Sequence, residues 1–308
     1  MRKLPRPGLQ RRDQRWERCI DTLDPVAGAH AIFVVLFDRI FPLEIVLASE
    51  LGQLRTFAFP SISRLLHATG EYERDGQKRV DDTRAILTEI VAPGPQSRRG
   101  AEMIDHLDRI HGHYRIANDD YLVTLAALAV GPIEHIDTFG HRPMREVERV
   151  AFYEVWRQVG VRMGIRDVPP TWQAMRAFRN AYEARAARHH PANEAVARAL
   201  LDVIGAMLPR ALRGLVEPSV TWLLGAPHLS GALGLRPPSA RERTLIAGTF
   251  AARRRALRYI TAFNHAPFSQ SELFRALPSY PQGYDRLHLG PRKLIARMLR
   301  EASAPAEG

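Results

Sequence analysis

The chain has 308 residues, 45% hydrophobic and 25% charged, with a formal charge of +11; this suits a folded globular protein with a sizeable core and excludes a disordered or collagen-like chain. Its one cysteine, Cys19, excludes an internal disulfide framework, a CxxC redox pair and a thiolate metal cage, and accords with a reducing compartment. The positive charge is almost all arginine, since only Lys3, Lys78 and Lys293 are lysines; it permits contact with an anionic membrane or with nucleic acid and specifies neither.

Residues 1–23 read as a basic N-terminal arm (Arg2, Lys3, Arg6, Arg11, Arg12, Arg15, Arg18), either solvated and mobile or laid on an anionic membrane surface. No apolar run with a small-residue cleavage site follows, so a secretory or twin-arginine signal is not expected. The longest apolar stretch, Ala31 to Phe37, is too short to cross a bilayer, and no transmembrane helix is expected. The expected location is cytoplasmic, with peripheral contact at a membrane.

The core begins near Asp24-Pro25. An apolar helix over 26–40 ends before Pro42, a second covers 43–56, and Pro60 opens a short one that Thr69-Gly70 closes. Glu71 to Lys78 reads as a charged loop, and Asp81 or Asp82 as the N-cap of a helix through Val91. After Pro93-Gly94-Pro95 come helices over 98–114 and 119–130, then a segment from Pro132. Arg142 to Gly164 reads as one long amphipathic helix with Trp156, Val159 and Met163 among its core positions. Helices over 171–187 and 192–208 flank the His189-His190-Pro191 break, and Pro209 and Pro218 interrupt 208–224. Residues 225–239 read as a loop, 240–260 as a basic helix, 264–289 as turns, and 291–302 as a last helix. No period-two strand stands beside turn chemistry, so the expected fold is all-α, a single mostly helical domain. Residues 24–224 form its body, and 225–308 a C-terminal helical extension packed on the same domain.

The helix over 98–114 places Ile104, Leu107 and His111 on one face, so the His111 ring points where apolar side chains point. A buried imidazole is either a hydrogen-bonded core group or a ligand, and the spacing leaves both open. No nucleotide-binding glycine loop, HExxH, GxSxG or EF-hand loop is present. None of the twelve histidines follows a Glu by three residues; Asp108-x-x-His111 and Asp285-x-x-His288 come nearest to the paired ligands of a di-iron bundle. His106 and His113 read as a polar edge of the His111 helix. RVDDT, Arg79 to Thr83, fits helix-capping chemistry. Arg241, Arg243, Arg253, Arg254, Arg255 and Arg258 form a basic cluster with neither a recognition helix nor an aromatic stacking platform, so no specific nucleic-acid partner is expected.

Several stretches, taken in order and spacing, carry a family resemblance. They are FAFPSISRLLHATGEY (57–72), RVDDT (79–83), RIHGHYRIANDDYLVTLAAL (109–128), Pro132-Ile133, Arg142-Pro143-Met144, RMGIRDVPPT (162–171) and Tyr182-Glu183. Together they resemble the MPAB/Lcp catalytic-domain family of haem b oxygenases, in its MpaB-like branch rather than that of the latex-clearing rubber oxygenases. The resemblance implies a haem pocket between core helices. It implies haem b iron ligated by His111, with Arg79 and Thr83 on the distal side and Asp82 beside them as a proton relay. Arg79, Asn118, Asp119 and Arg142 would bind the cofactor or support its ligand; Asn118, Asp119 or Glu183 would accept from the second ring nitrogen of His111. Where the rubber branch has a Lys before its Thr, this chain has Asp82, which argues against a lysine-capped iron and against rubber as substrate. His141 stands where the MpaB branch commonly has Trp. The implied activity is oxidation of an apolar, unsaturated, prenyl- or terpenoid-like substrate by dioxygen, through C=C cleavage or a related oxidation. Two rival readings are a non-catalytic haem or lipid-binding protein on the same fold and a basic helical nucleic-acid binder.

Overall fold

Prolines set many of the helix starts. Pro42, Pro60, Pro132, Pro191 and Pro227 each lie in a first turn, where the fixed φ suits a helix and the missing N–H is one that no helical bond would use. The computed structural model describes residues 8–303. A two-residue strand β1 (Gln10–Arg11) leads into helix α1 (Arg15–Ile20) and then α2 (Ala29–Val35), which runs on as a π turn over Leu36–Ile40. Then come α3 (Pro42–Thr56), α4 (Pro60–Thr69), α5 (Glu71–Val91), α6 (Arg98–His111), α7 (Asn118–Ala129) and α8 (Gly131–Phe139). They are followed by α9 (Glu146–Arg162), α10 (Trp172–Ala186), α11 (Pro191–Ala206), α12 (Val216–Leu224) and α13 (Pro227–Ala232). The chain closes with α14 (Ala240–Leu257), strand β2 (Ile260–Thr261), α15 (Glu272–Arg275) and α16 (Arg292–Ser303). The fold is all-α, as the apolar periodicity predicts.

Two apolar clusters hold the helices. The larger joins α2, α5, α6, α7 and α9, and includes the stacked rings of Phe33 and Phe152, 5.1 Å apart. The second joins α4, α11, α12 and α13. Buried Asn193 of α11 ties the second cluster together: it donates to the carbonyls of Ala58, Arg188 and Ala232 and accepts from Ser63. The run Asn118–Phe139 is long and apolar enough to cross a membrane, but 61% of its 18-residue window is buried. It covers α7 and α8, against which α3 packs; it is a core element here.

Three expectations fail locally. Glu71 to Lys78 is helical: α5 starts at Glu71, directly after the left-handed Gly70, and absorbs a single non-helical residue at Asp75. Glu71 and Glu73 suit its positive end, so Asp81 and Asp82 lie mid-helix and buried rather than at a cap. The helix expected across 142–164 begins at Glu146: Arg142 is a bend, Pro143 and Met144 are non-helical, and Arg145, in extended conformation, caps the helix. Residues 8–20 are docked rather than a free arm. Gln10 pairs with Thr261 and Arg11 with Ile260, Ile20 is fully buried, and the Arg39 guanidinium sits 4.6 Å over the Trp16 ring. A two-residue strand carries no period that a sequence reading can detect. Arg2, Lys3 and Arg6 lie outside the described residues.

Candidate functional site

On α5, Tyr72, Arg79, Thr83, Ile86 and Ile90 follow one another at intervals of seven, four, three and four, which puts them on one helix face. That face lines a cavity of about 280 Å³. The facing walls come from α3, α4, α6, α7 and α9, with Gly52, Leu65, His111, Leu125 and Trp156, and from Gly290-Pro291 just before α16. The cavity is mostly apolar, and its few polar groups are specific.

His111 ends α6 on the cavity wall. Its ring meets the Tyr121 ring edge to face at 5.5 Å. Its Nδ1 is buried without a hydrogen-bond partner, which leaves Nε2 as the nitrogen a cavity ligand can meet. Burial, and then the Arg79 guanidinium, push the imidazole down to about 4, so it is neutral at physiological pH. Arg79 lies 5.3 Å over the Tyr72 ring and donates to Thr83 Oγ1, which donates in turn to the Arg79 carbonyl at 2.9 Å. Among the described residues Arg79 pairs with no carboxylate. The Tyr72 hydroxyl donates to Gln53 Oε1 at 3.1 Å. Across the cavity Asp120 Oδ1 accepts from Ser61 Oγ at 2.8 Å and from the Tyr182 hydroxyl at 2.5 Å. The arrangement can present a neutral imidazole and an arginine to a ligand in a mostly apolar pocket.

Of the candidate catalytic and cofactor-binding residues named from the sequence, Arg79, Thr83 and His111 line this cavity and the others do not. Asp82 lies a 100° turn from Thr83 and faces away; its carboxylate accepts from Lys78 Nζ at 2.6 Å and from the Tyr280 hydroxyl. The Asn118 side chain binds the Arg166 backbone through both its atoms, and Asp119 pairs with Arg185 at 2.6 Å on the surface. Glu183 is held by Arg55 at 2.5 Å, and among the described residues no carboxylate or amide reaches His111 Nδ1. Arg142 pairs with buried Glu148 at 2.7 Å and lies 5.0 Å over Phe41, outside the cavity. His141 packs on Phe41, both ring nitrogens buried and unpartnered; burial and the nearby Arg12, Arg142, Arg253 and Arg258 push it to about 2. His106 is no polar edge: it is buried and donates to the Leu289 carbonyl at 3.0 Å. The basic cluster of α14 is partly consumed internally, Arg253 by Glu44 at 2.8 Å and Arg254 by the Thr138 carbonyl. Sequence reasoning missed Tyr72 and Gln53; reading 71–91 as one helix would have put Tyr72 on the Arg79 face.

Fold and site together define an all-α protein with a mostly apolar cavity lined by a histidine and an arginine. The family model described as "ER-bound oxygenase mpaB/B'/Rubber oxygenase, catalytic domain" matches residues 38–265. The chain is 34% identical to the ER-bound oxygenase mpaB of Penicillium roqueforti (strain FM164) over 138 residues, 42% of this chain and 46% of that protein. It is 26% identical to the ER-bound oxygenase mpaB' of Penicillium brevicompactum over 266 residues, 80% of this chain and 62% of that protein. Both matches span less than two thirds of the relative's own length. The chain belongs to the mpaB/rubber oxygenase catalytic-domain family.

Proposed function

We propose that this chain is a haem b-dependent oxygenase acting with dioxygen on an apolar, unsaturated, prenyl- or terpenoid-like small molecule. The observation that carries the reading is the convergence of His111, Arg79 and Thr83 on one apolar cavity. Haem would bring most of its iron's donors with it, so a single neutral imidazole would suffice from the protein. His111 meets that need. Among the described residues no group of three or more His, Cys, Asp or Glu side chains converges to hold a metal ion, the donor set a non-haem site would use. The unpartnered Nδ1 is the one departure from the usual pattern, in which the second nitrogen of a ligating histidine donates to a fixed acceptor. The relatives' names as oxygenases support the reaction class, and their names as ER-bound support peripheral membrane association.

When bound, haem would supply the oxygen-activating chemistry. The chain's own residues do the rest. The apolar walls exclude water and hold an apolar chain. Arg79, stacked on Tyr72 and bonded to Thr83, keeps a cation aimed at charge that develops in the cavity. Asp82 is bonded to Lys78 and Tyr280 and is off the cavity lining, so the proton-relay role is not assigned to it. The test is oxygen uptake with a panel of prenylated compounds by the haem-loaded protein. Arg79→Ala should lower the rate about 100-fold, the cost of one electrostatic donor, with haem content unchanged; equal rates would remove Arg79 from the mechanism.

A further inference from the structure

The C-terminal extension, which carries none of the stretches of the family resemblance, supplies a wall of the cavity. Gly290 and Pro291 line it. Gly290 has φ +125°, and a Cβ there would lie 2.9 Å from Ile110 Cδ1 and 3.2 Å from Ile295 Cδ1, so the backbone is wedged between α6 and α16. Two successive carbonyls of this wall are fastened by buried side chains. Lys78 Nζ of α5 donates to the Gly290 carbonyl at 2.9 Å, and His106 of α6 donates to that of Leu289 at 3.0 Å. Lys78 is itself held by Asp82 at 2.6 Å, and Asp82 also receives the Tyr280 hydroxyl. One residue earlier on α5, Asp81, is fully buried and accepts the backbone N–H of Ser279 at 2.8 Å. Three buried groups of α5 thus grip the segment 279–290 from one side of the helix, while Arg79 and Thr83 look into the cavity from the other.

We propose that Lys78, Asp82 and Tyr280 are positioning residues that set the 289–291 wall of the cavity, and through it the size of apolar molecule the cavity admits. A buried lysine and aspartate are costly to leave unpaired. Each therefore keeps the segment docked as long as the partner stays. With the wall docked, Gly290 and Pro291 limit the space beside Ile110; with it loosened, that space widens. The wall acts on access and fit and leaves the polar groups of the cavity untouched. This inference rests on the cavity and not on the cofactor.

The experiment uses the full chain without added haem. Amide hydrogen exchange over residues 279–291 is measured beside the stopped-flow entry rates of a short and a long neutral naphthyl probe. Tyr280→Phe removes one hydroxyl and should leave the fold intact; Lys78→Met removes the donor that α5 gives to the Gly290 carbonyl and leaves Asp82 without its cation. Tyr280→Phe should raise exchange in that segment about tenfold, the factor expected for one hydrogen bond to a charged group. It should also speed the long probe more than the short one. Lys78→Met should do more of both. Arg236→Ala, which breaks an ion pair with Glu242 outside the cavity lining, should do neither. Faster exchange with an unchanged ratio of probe rates would overturn the proposal by making the network purely structural. Unchanged exchange would overturn it by showing that these residues do not hold the segment. Neither outcome depends on whether the chain binds haem.

Discussion

Arg79 and Thr83 share a helix face and Asp82 does not, and that difference of one residue divides the site from its scaffold. The resemblance placed all three at the distal side of a haem. Helix geometry separates them once α5 is seen to start at Glu71, because a rotation of about 100° per residue carries Asp82 off the cavity face. Asp81-Asp82-Thr83 looked like a cap because caps favour those residue types, and nothing local distinguishes a capping Asp from one that pairs with Lys78 inside the core. His111 was legible as a residue on an apolar face. Its role beside Arg79 was legible only through motif order. Asn118, Asp119 and Arg142 lie off the cavity lining, and their partners Arg166, Arg185 and Glu148 were not identifiable from motif spacing. The buried histidines make a further prediction. His111 and His135 are pushed to about 4 and His141 to about 2, all from 6.5 and all first by burial. Their folded values are depressed, so the unfolded chain binds more protons below pH 6.5, and stability falls as pH drops from there toward 4. His141→Phe keeps a ring against Phe41 and removes one titrating group. Its urea midpoint should fall less steeply than that of the wild type between pH 7 and 5; parallel slopes would contradict the account.

At the scale of elements, boundaries set by proline and glycine were readable, as at Pro60, Gly70 and Pro191. Elements held by tertiary contacts were not. The charged run 71–78 becomes helix because α11 packs along it, Gly76 approaching Val203, and the β1–β2 pair exists because α1 and the segment after α14 are brought together. The tie between α4, α11 and α13 rests on Asn193, which is fully buried and makes four hydrogen bonds. Asn193→Ala leaves Ser63 and three carbonyls without that partner and should cost about 3 kcal/mol, within the range for stranding buried polar groups. Urea denaturation would show this as a lower midpoint at unchanged m-value. A loss under 1 kcal/mol would mean that other groups satisfy those carbonyls.

For the whole molecule, the all-α class followed from apolar periodicity, and the family from an ordered set of short stretches, each weak alone. The role of 225–303 was not legible, because a wall built from carbonyls and one glycine leaves no side-chain pattern. It is visible only when Lys78 and His106 are seen to hold Gly290 and Leu289. The molecule then reads as a helical body whose central cavity takes its polar groups from α3 to α7 and one wall from the C-terminal segment. The central claim is that His111 ligates haem iron in that cavity, and the visible absorption spectrum tests it most directly. The purified haem-loaded protein should show a Soret band that is shifted or lost in His111→Gly and restored by added imidazole. A Soret band identical in wild type and His111→Gly, or no haem uptake by the wild type, would contradict it.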